Sequence, residues 1–245
     1  MRAIGNIILS TESSDAAILI DGVAMPVRVR RSARARAYKL TIDGLRGELR
    51  LSLPARANLK RALGWALGHE DWVRAQMAVT PAVTLLGDGA TFPLEGREVR
   101  ICWIAGATRT IRLEGDRLIL GGAAESVGAR VLRWLRTRAK AVLEAETLAM
   151  AQDHGLIVAS VGTGDTRSRW GSCSSRGTIS LSWRLIMAPV SVLDYVAAHE
   201  VAHLVELNHS AAYWAIVTRI CPDWKDHRTW LRAHGSTLHR VRFQD

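Results

Sequence analysis

Cysteine is scarce: Cys102, Cys173 and Cys221 are odd in number, widely spaced and without a C-x-x-C pair. That excludes a disulfide framework and leads us to expect reduced thiols. No stretch approaches the roughly 20 apolar residues of a membrane-spanning helix, so no membrane partner is expected. The apolar run at the start is too short for a secretory signal and meets polar residues 10–15 at once, which makes a cytoplasmic location the expectation. Internal repeats and low-complexity linkers are missing. One further shortage becomes important below, since no glutamate follows Glu206.

What is present is ordinary globular composition, with 48% hydrophobic and 23% charged residues, and this excludes disorder as the default. Nine tryptophans favour packed cores or a substrate groove. The alternation of apolar and polar residues predicts strands at 17–20, 27–31, 37–42 and 48–53, with turns at Asp21-Gly22 and 44–47. Asn58 is placed to cap a helix reaching about residue 77. Short strands follow at 84–86, 99–103, 110–113 and 117–120. From about 124 the period changes to that of a long helix ending at His154-Gly155. Next come strands at 157–162 and 178–184, the second after a turn at 174–177. Ser191 can cap a helix to about 207, and helices at 211–220 and 223–234 complete the chain. The expectation is an α+β protein with a β-rich N-terminal region, 1–122, and a second domain, 123–245.

His199-Glu200-Val201-Ala202-His203 is an H-E-x-x-H motif. On a helix, residues four apart share a face, so two imidazoles can hold one metal while the glutamate between them acts on water. With eight histidines in 245 residues, about 0.01 such motifs are expected by chance. His209 follows at the spacing that brings a third histidine in H-E-x-x-H-x-x-G-x-x-H sites, although Glu206 stands where that pattern has glycine. Asn208 can adopt the left-handed conformation that ends a helix, and Ser210 can cap the next one. A later glutamate ligand is excluded by composition, and Glu206, one turn beyond His203, reads as a surface residue or as one that supports a ligand from behind. His227 is the reserve third ligand. The other histidines, His69, His154, His234 and His239, read as surface or capping residues.

Around this motif, Arg169-Trp170-Gly171-Ser172-Cys173-Ser174, residues 179–185, Ala188-Pro189, Asp194-Tyr195-Val196, Asn208-His209-Ser210 and Tyr213-Trp214 resemble the YgjP-like metallopeptidase family. That family is related in outline to the SprT and WLM zincins. Val201, Ser182 and Tyr213 depart from its pattern without touching the ligands. The resemblance implies a zincin-like α/β metallopeptidase core: strands over an active-site helix, Zn2+ on His199, His203 and His209, and Glu200 as general base. It also implies a peptide or protein substrate, which an extended strand near 178–183 could hold by edge pairing. Arg169 is open between an oxyanion partner and a structural residue packed on Trp170, and Cys173 between a zinc neighbour and a buried thiol.

The net charge of +10 and the run Arg28, Arg30, Arg31, Arg34, Arg36 and Lys39 define a second feature. A solvated strand face is the first reading, and nucleotide or nucleic-acid binding through Arg28, Arg30, Arg31, Arg34 and Arg36 the other. The leading function is therefore zinc-dependent peptide hydrolysis by a metallopeptidase. Its alternatives are a metal-dependent nucleotide phosphohydrolase and a basic nucleic-acid-associated module with weak catalysis.

Overall fold

The computed structural model describes residues 2–4, 7–9, 15–43, 47–78 and 84–243, and the turn expected at 44–47 lies largely outside them. The fold is α+β, and the chain divides into two compact units, Met1–Ala82 and Val83–Asp245.

In the first unit the described strands are β1 (Arg2–Ile4), β2 (Ile7–Leu9), β3 (Asp15–Ile20), β4 (Val23–Ser32), β5 (Lys39–Asp43) and β6 (Glu48–Pro54). They form one sheet in the order β1-β2-β3-β4-β6-β5, with β4 and β6 parallel. Strict alternation sets its faces, because Leu49, Leu51 and Leu53 are fully buried while Arg50 between them points to solvent. The β3–β4 turn is the expected Asp21-Gly22, with φ of 52° and 78° as a two-residue hairpin of this kind demands. Helices α1 (Leu59–Leu67) and α2 (Glu70–Ala78) follow. Asn58 caps the first as expected, its side chain accepting from Arg61 N at 3.1 Å.

The second unit opens with β7 (Thr84–Leu86), β8 (Thr91–Leu94), β9 (Arg97–Trp103), β10 (Arg112–Glu114) and β11 (Arg117–Leu120). The last four form a sheet in the order β10-β11-β9-β8. Helix α3 (Val127–Asp153) buries Val131, Leu135, Ala139, Leu143, Thr147 and Ala151, one residue per turn along a single stripe. It ends where expected: Gly155 takes φ 66° and Leu156 N donates to Ala151 O at 2.8 Å. A three-stranded sheet of β12 (Ser160–Gly164), β13 (Gly171–Cys173) and β14 (Thr178–Ser182) has the order β12-β14-β13. A 3-10 turn (Trp183–Met187) then leads to α4 (Val190–Ala202), α5 (Ala211–Ile220), α6 (Trp224–Leu238) and β15 (Val241–Phe243), which pairs in parallel with β7. Among the described residues no helix is long and apolar enough to cross a membrane.

Four expectations need correction. The division falls between Ala82 and Val83 and not after Gly122, because Phe92, Leu94, Ile101, Leu118 and Leu120 are buried in one core with α3 and α4. Helix α4 has Pro189 and not Ser191 at its N-cap, with proline's fixed φ at −52°. It stops at Ala202, five residues early, since His203 N and Leu204 N bond three residues back, to Glu200 O and Val201 O. Asn208 consequently ends nothing, and its φ is not positive. Finally, β14 is the central strand of its sheet, so the edges are β12 and β13, and of these β13 runs beside Glu200.

Candidate metal centre

Helix α4 is apolar nearly all round, with Val192, Leu193, Val196, Ala197, Ala198 and Val201 buried, so its polar residues stand out as placed. The four-residue spacing brings the His199 and His203 rings to 5.2 Å between centroids, at 89° to one another. The chain then turns back and restarts at α5, where Ser210 accepts from Tyr213 N at 3.2 Å as its N-cap. Between these two points His209 swings in, its ring 5.2 Å from that of His199 and 4.9 Å from that of His203. Donor atoms of the three lie within 4.8 Å of one another, and among the described residues this is the group that could hold a metal ion.

The nitrogens are sorted by their surroundings. His203 Nδ1 lies 3.0 Å from Glu206 O, and since a carbonyl only accepts, Nδ1 is the donor in this contact. His199 Nε2 and His209 Nε2 face each other at 3.3 Å. Burial first, then His203, His209 and the Arg228 charge, pushes His199 down to about 4. His209 is also lowered, by burial and then by His203 and Arg228. Neutral imidazoles that bring two Nε2 atoms together are poor neighbours for one another and good ones for a cation. Donors ~2.1 Å from a tetrahedral ion stand ~3.4 Å apart, so this donor set fits zinc or a similar divalent ion.

Glu200 is 4% exposed, and its carboxyl is pushed up to about 7 by burial, against the lowering effect of Arg169. Strand β13 makes this placement possible. A Cβ on Gly171 would stand 2.5 Å from Glu200 Oε1, so only glycine lets the strand pass so close. Two cavities meet at Gly171, His199 and Glu200. One, of about 250 Å³, reaches past Cys173, His203 and His209, and the other, of about 170 Å³, past Arg169, Trp170, Tyr195 and Leu231.

Tyr213 braces the centre from below. Fully buried, it donates from its hydroxyl to His199 O at 2.9 Å and lays its ring 4.5 Å from that of His203. Trp214 stands 6.0 Å from both His199 and His209, stacks on Trp224 at 4.3 Å and carries Arg228 over its outer face at 5.1 Å. Sequence reasoning quoted Gly171 and Tyr213 only for resemblance and missed what they do. No strand was expected at 171–173, so the sequence carried no signal for Gly171.

His227 borders a separate cavity of about 380 Å³ with Glu146, Asp194 and Cys221, and the structure does not bring it to the three histidines. Glu206 contributes its carbonyl to His203. Arg169 is exposed, and the ring partner of Trp170 is His239, at 4.9 Å. Cys173 lines the larger cavity with its thiol raised by burial and by Glu200, and it is not part of the metal-capable group. His69, His154 and His234 sit against Trp65 O, Met150 O and the Trp230 ring.

A family model described as YgjP-like, metallopeptidase domain, matches residues 36–234, which together with the histidine cluster sets the class of the molecule as a metallopeptidase. The chain belongs to the YgjP-like metallopeptidase family. A solved structure, that of the metallopeptidase zymogen of Pyrococcus abyssi abylysin, is similar over 42% of this chain and 99% of that one, at 19% identity and a TM-score of 0.35. No curated protein matches.

Proposed function

We propose that the chain is a mononuclear zinc peptidase in which His199, His203 and His209 hold the ion and Glu200 is the general base. The observation that carries this reading is the convergence of three imidazoles beside a buried carboxyl group at the free edge of a sheet. His199, His203 and His209 would hold the ion, which would supply a Lewis acid able to polarise a peptide carbonyl and to lower the pKa of water toward ~7. A carboxylate oxygen of Glu200 would take a proton from water as its oxygen adds to the peptide carbonyl carbon, and the carboxyl group would hand that proton to the amine nitrogen as the C–N bond breaks.

Substrate binding follows from the β13–β14 ladder. Ser182 N bonds Trp170 O and Ser174 N bonds Thr178 O, so residues 170, 172 and 174 turn their amides toward β14. In an antiparallel pair the alternate residues turn theirs away. Gly171 and Cys173 thus offer N–H and C=O groups to an extended peptide added at the edge. Gly171 also adjoins Glu200, so a peptide paired there lays its backbone over the carboxyl group, with one cavity on each side for flanking side chains.

The test is turnover on a peptide library, with a nucleotide panel in parallel, each with and without chelator, and elemental analysis of every variant. Glu200→Gln should abolish peptide turnover and keep about one zinc per chain, because Glu200 is not among the three proposed ligands. His209→Ala should lose most of the metal and all activity, whereas His227→Ala should keep both. Chelator-sensitive turnover of nucleotides alone would replace the peptidase reading, and metal loss in Glu200→Gln would move that residue into the ligand set.

A further inference from the structure

The arginines of the first unit differ in whether they already have a partner. On the solvent face of its sheet, register places Arg28, Arg50 and Thr41 in one row across β4, β6 and β5. That row is neutralised, since Arg28 and Arg50 pair with Glu48, and Arg50 with Asp43 as well. Arg31 serves the fold, donating to Ala55 O at 2.9 Å and Ala57 O at 2.8 Å. Two residues along from Arg28, on the same face, the next row is Arg30, Ser52 and Lys39. The loop leaving β4 adds Arg34 and Arg36. Among the described residues, none of Arg30, Arg34, Arg36 and Lys39 lies within ion-pair reach of a carboxylate. All four line one groove of about 570 Å³, with Tyr38 in its wall.

We propose that this groove binds the phosphodiester backbone of a single-stranded nucleic acid. Its charge is spread and not gathered round one point: Arg30 and Lys39 stand two strand spacings apart, ~10 Å, and Arg34 and Arg36 lie on the loop that joins β4 to β5. A linear polyanion matches that layout. Tyr38, half-buried and backed by Trp65 at 5.6 Å, gives the wall an aromatic surface of the kind on which unpaired bases stack. The neighbouring row shows that the same sheet face can be neutralised by its own carboxylates, and in this groove it is not.

The experiment is fluorescence anisotropy of the full chain with a labelled thymidine oligomer of about 20 nucleotides, titrated across salt. Four phosphate contacts at ~0.7 each give an expected slope of log K against log salt near −3. The double variants Arg30→Gln/Lys39→Gln and Arg34→Gln/Arg36→Gln should each flatten that slope by ~1.4 and weaken binding about tenfold or more. Removing the same charge at Arg112 and Arg117, exposed on β10 and β11, should leave both values nearly unchanged. Circular dichroism confirms that each variant is folded. Equal losses in the Arg112/Arg117 variant would reduce the effect to net charge and overturn the site. So would salt-independent binding, or tighter binding of a duplex of the same length or of phosphatidylserine vesicles.

Discussion

Gly171→Ala adds a single methyl group, and its Cβ would stand 2.5 Å from Glu200 Oε1 and 2.7 Å from Glu200 Cγ. Either the strand retreats or the carboxyl group does, and in both cases the base leaves its place beside the histidines. A misplacement of about 1 Å can cost on the order of a hundredfold in rate. The expected outcome is a kcat lowered at least tenfold with zinc content unchanged, read from steady-state kinetics and elemental analysis of the same sample. Unaltered kcat would show that Glu200 does not depend on this contact. At this scale the ligand candidates were legible, because helical spacing alone puts His199 and His203 on one face and their rings together. Gly171 and Tyr213 were not, because each acts on a residue 14 or more positions away.

An edge strand of three residues carries the proposed substrate contact, which makes β13 the element to perturb. Proline is tolerated where an N–H points off a sheet edge, and the Cys173 N–H points that way. Cys173→Pro should therefore fold while raising KM for peptides several-fold, and Cys173→Ala, which keeps the N–H, should not. Equal KM values for the two would remove edge pairing from the mechanism.

Elsewhere in the same layer, Arg184 holds the segment after β12 to the end of α6. It donates to Asp165 at 2.7 Å, Leu238 O at 2.9 Å and Val241 O at 3.2 Å. Burial alone would raise the Asp165 carboxyl, but the Arg184 hydrogen bond and charge hold it below the usual value. A depressed carboxylate stabilises the fold above its unfolded pKa and loses that contribution as pH falls through its folded one. Asp165→Asn should thus melt below the parent at pH 7, with the gap closing below about pH 4, as thermal melts at both values would show. Sequence periodicity found most elements, the short β7 and β11 included, and missed β8 and β13. β8 was missed because Pro93 argues against a strand, yet β8 is an edge, where proline costs no ladder bond. α4 was drawn too long because its sequence pattern runs on past the point where 3-10 bonds tighten the last turn.

Among the described residues, one buried cluster gathers side chains between Ala16 and Val73, a second between Leu86 and Val241, and a small third consists of Ala202, Tyr213 and Val217. A compositional change near residue 123, where strands give way to a helix, therefore misled the reading of domain organisation. Hydrophobic pattern reports the element type, whereas a domain boundary depends on which apolar faces meet. The strands before residue 123 bury Leu86, Phe92, Leu94, Val99, Ile101, Leu118 and Leu120 in the same core as α3 and α4. At ~1.5–3 kcal/mol for each side chain, their removal would forfeit on the order of 10–20 kcal/mol, as much as the ~5–15 kcal/mol that keeps a domain folded. It would also strand β15, whose partner is β7. A fragment of residues 83–245 is accordingly expected to melt cooperatively and to bind about one zinc per chain, while a fragment of residues 123–245 should be insoluble or molten and lose the metal. Calorimetry and elemental analysis of the two decide the matter. A well-folded, zinc-bearing 123–245 fragment would return the boundary to the place where the change of sequence period puts it.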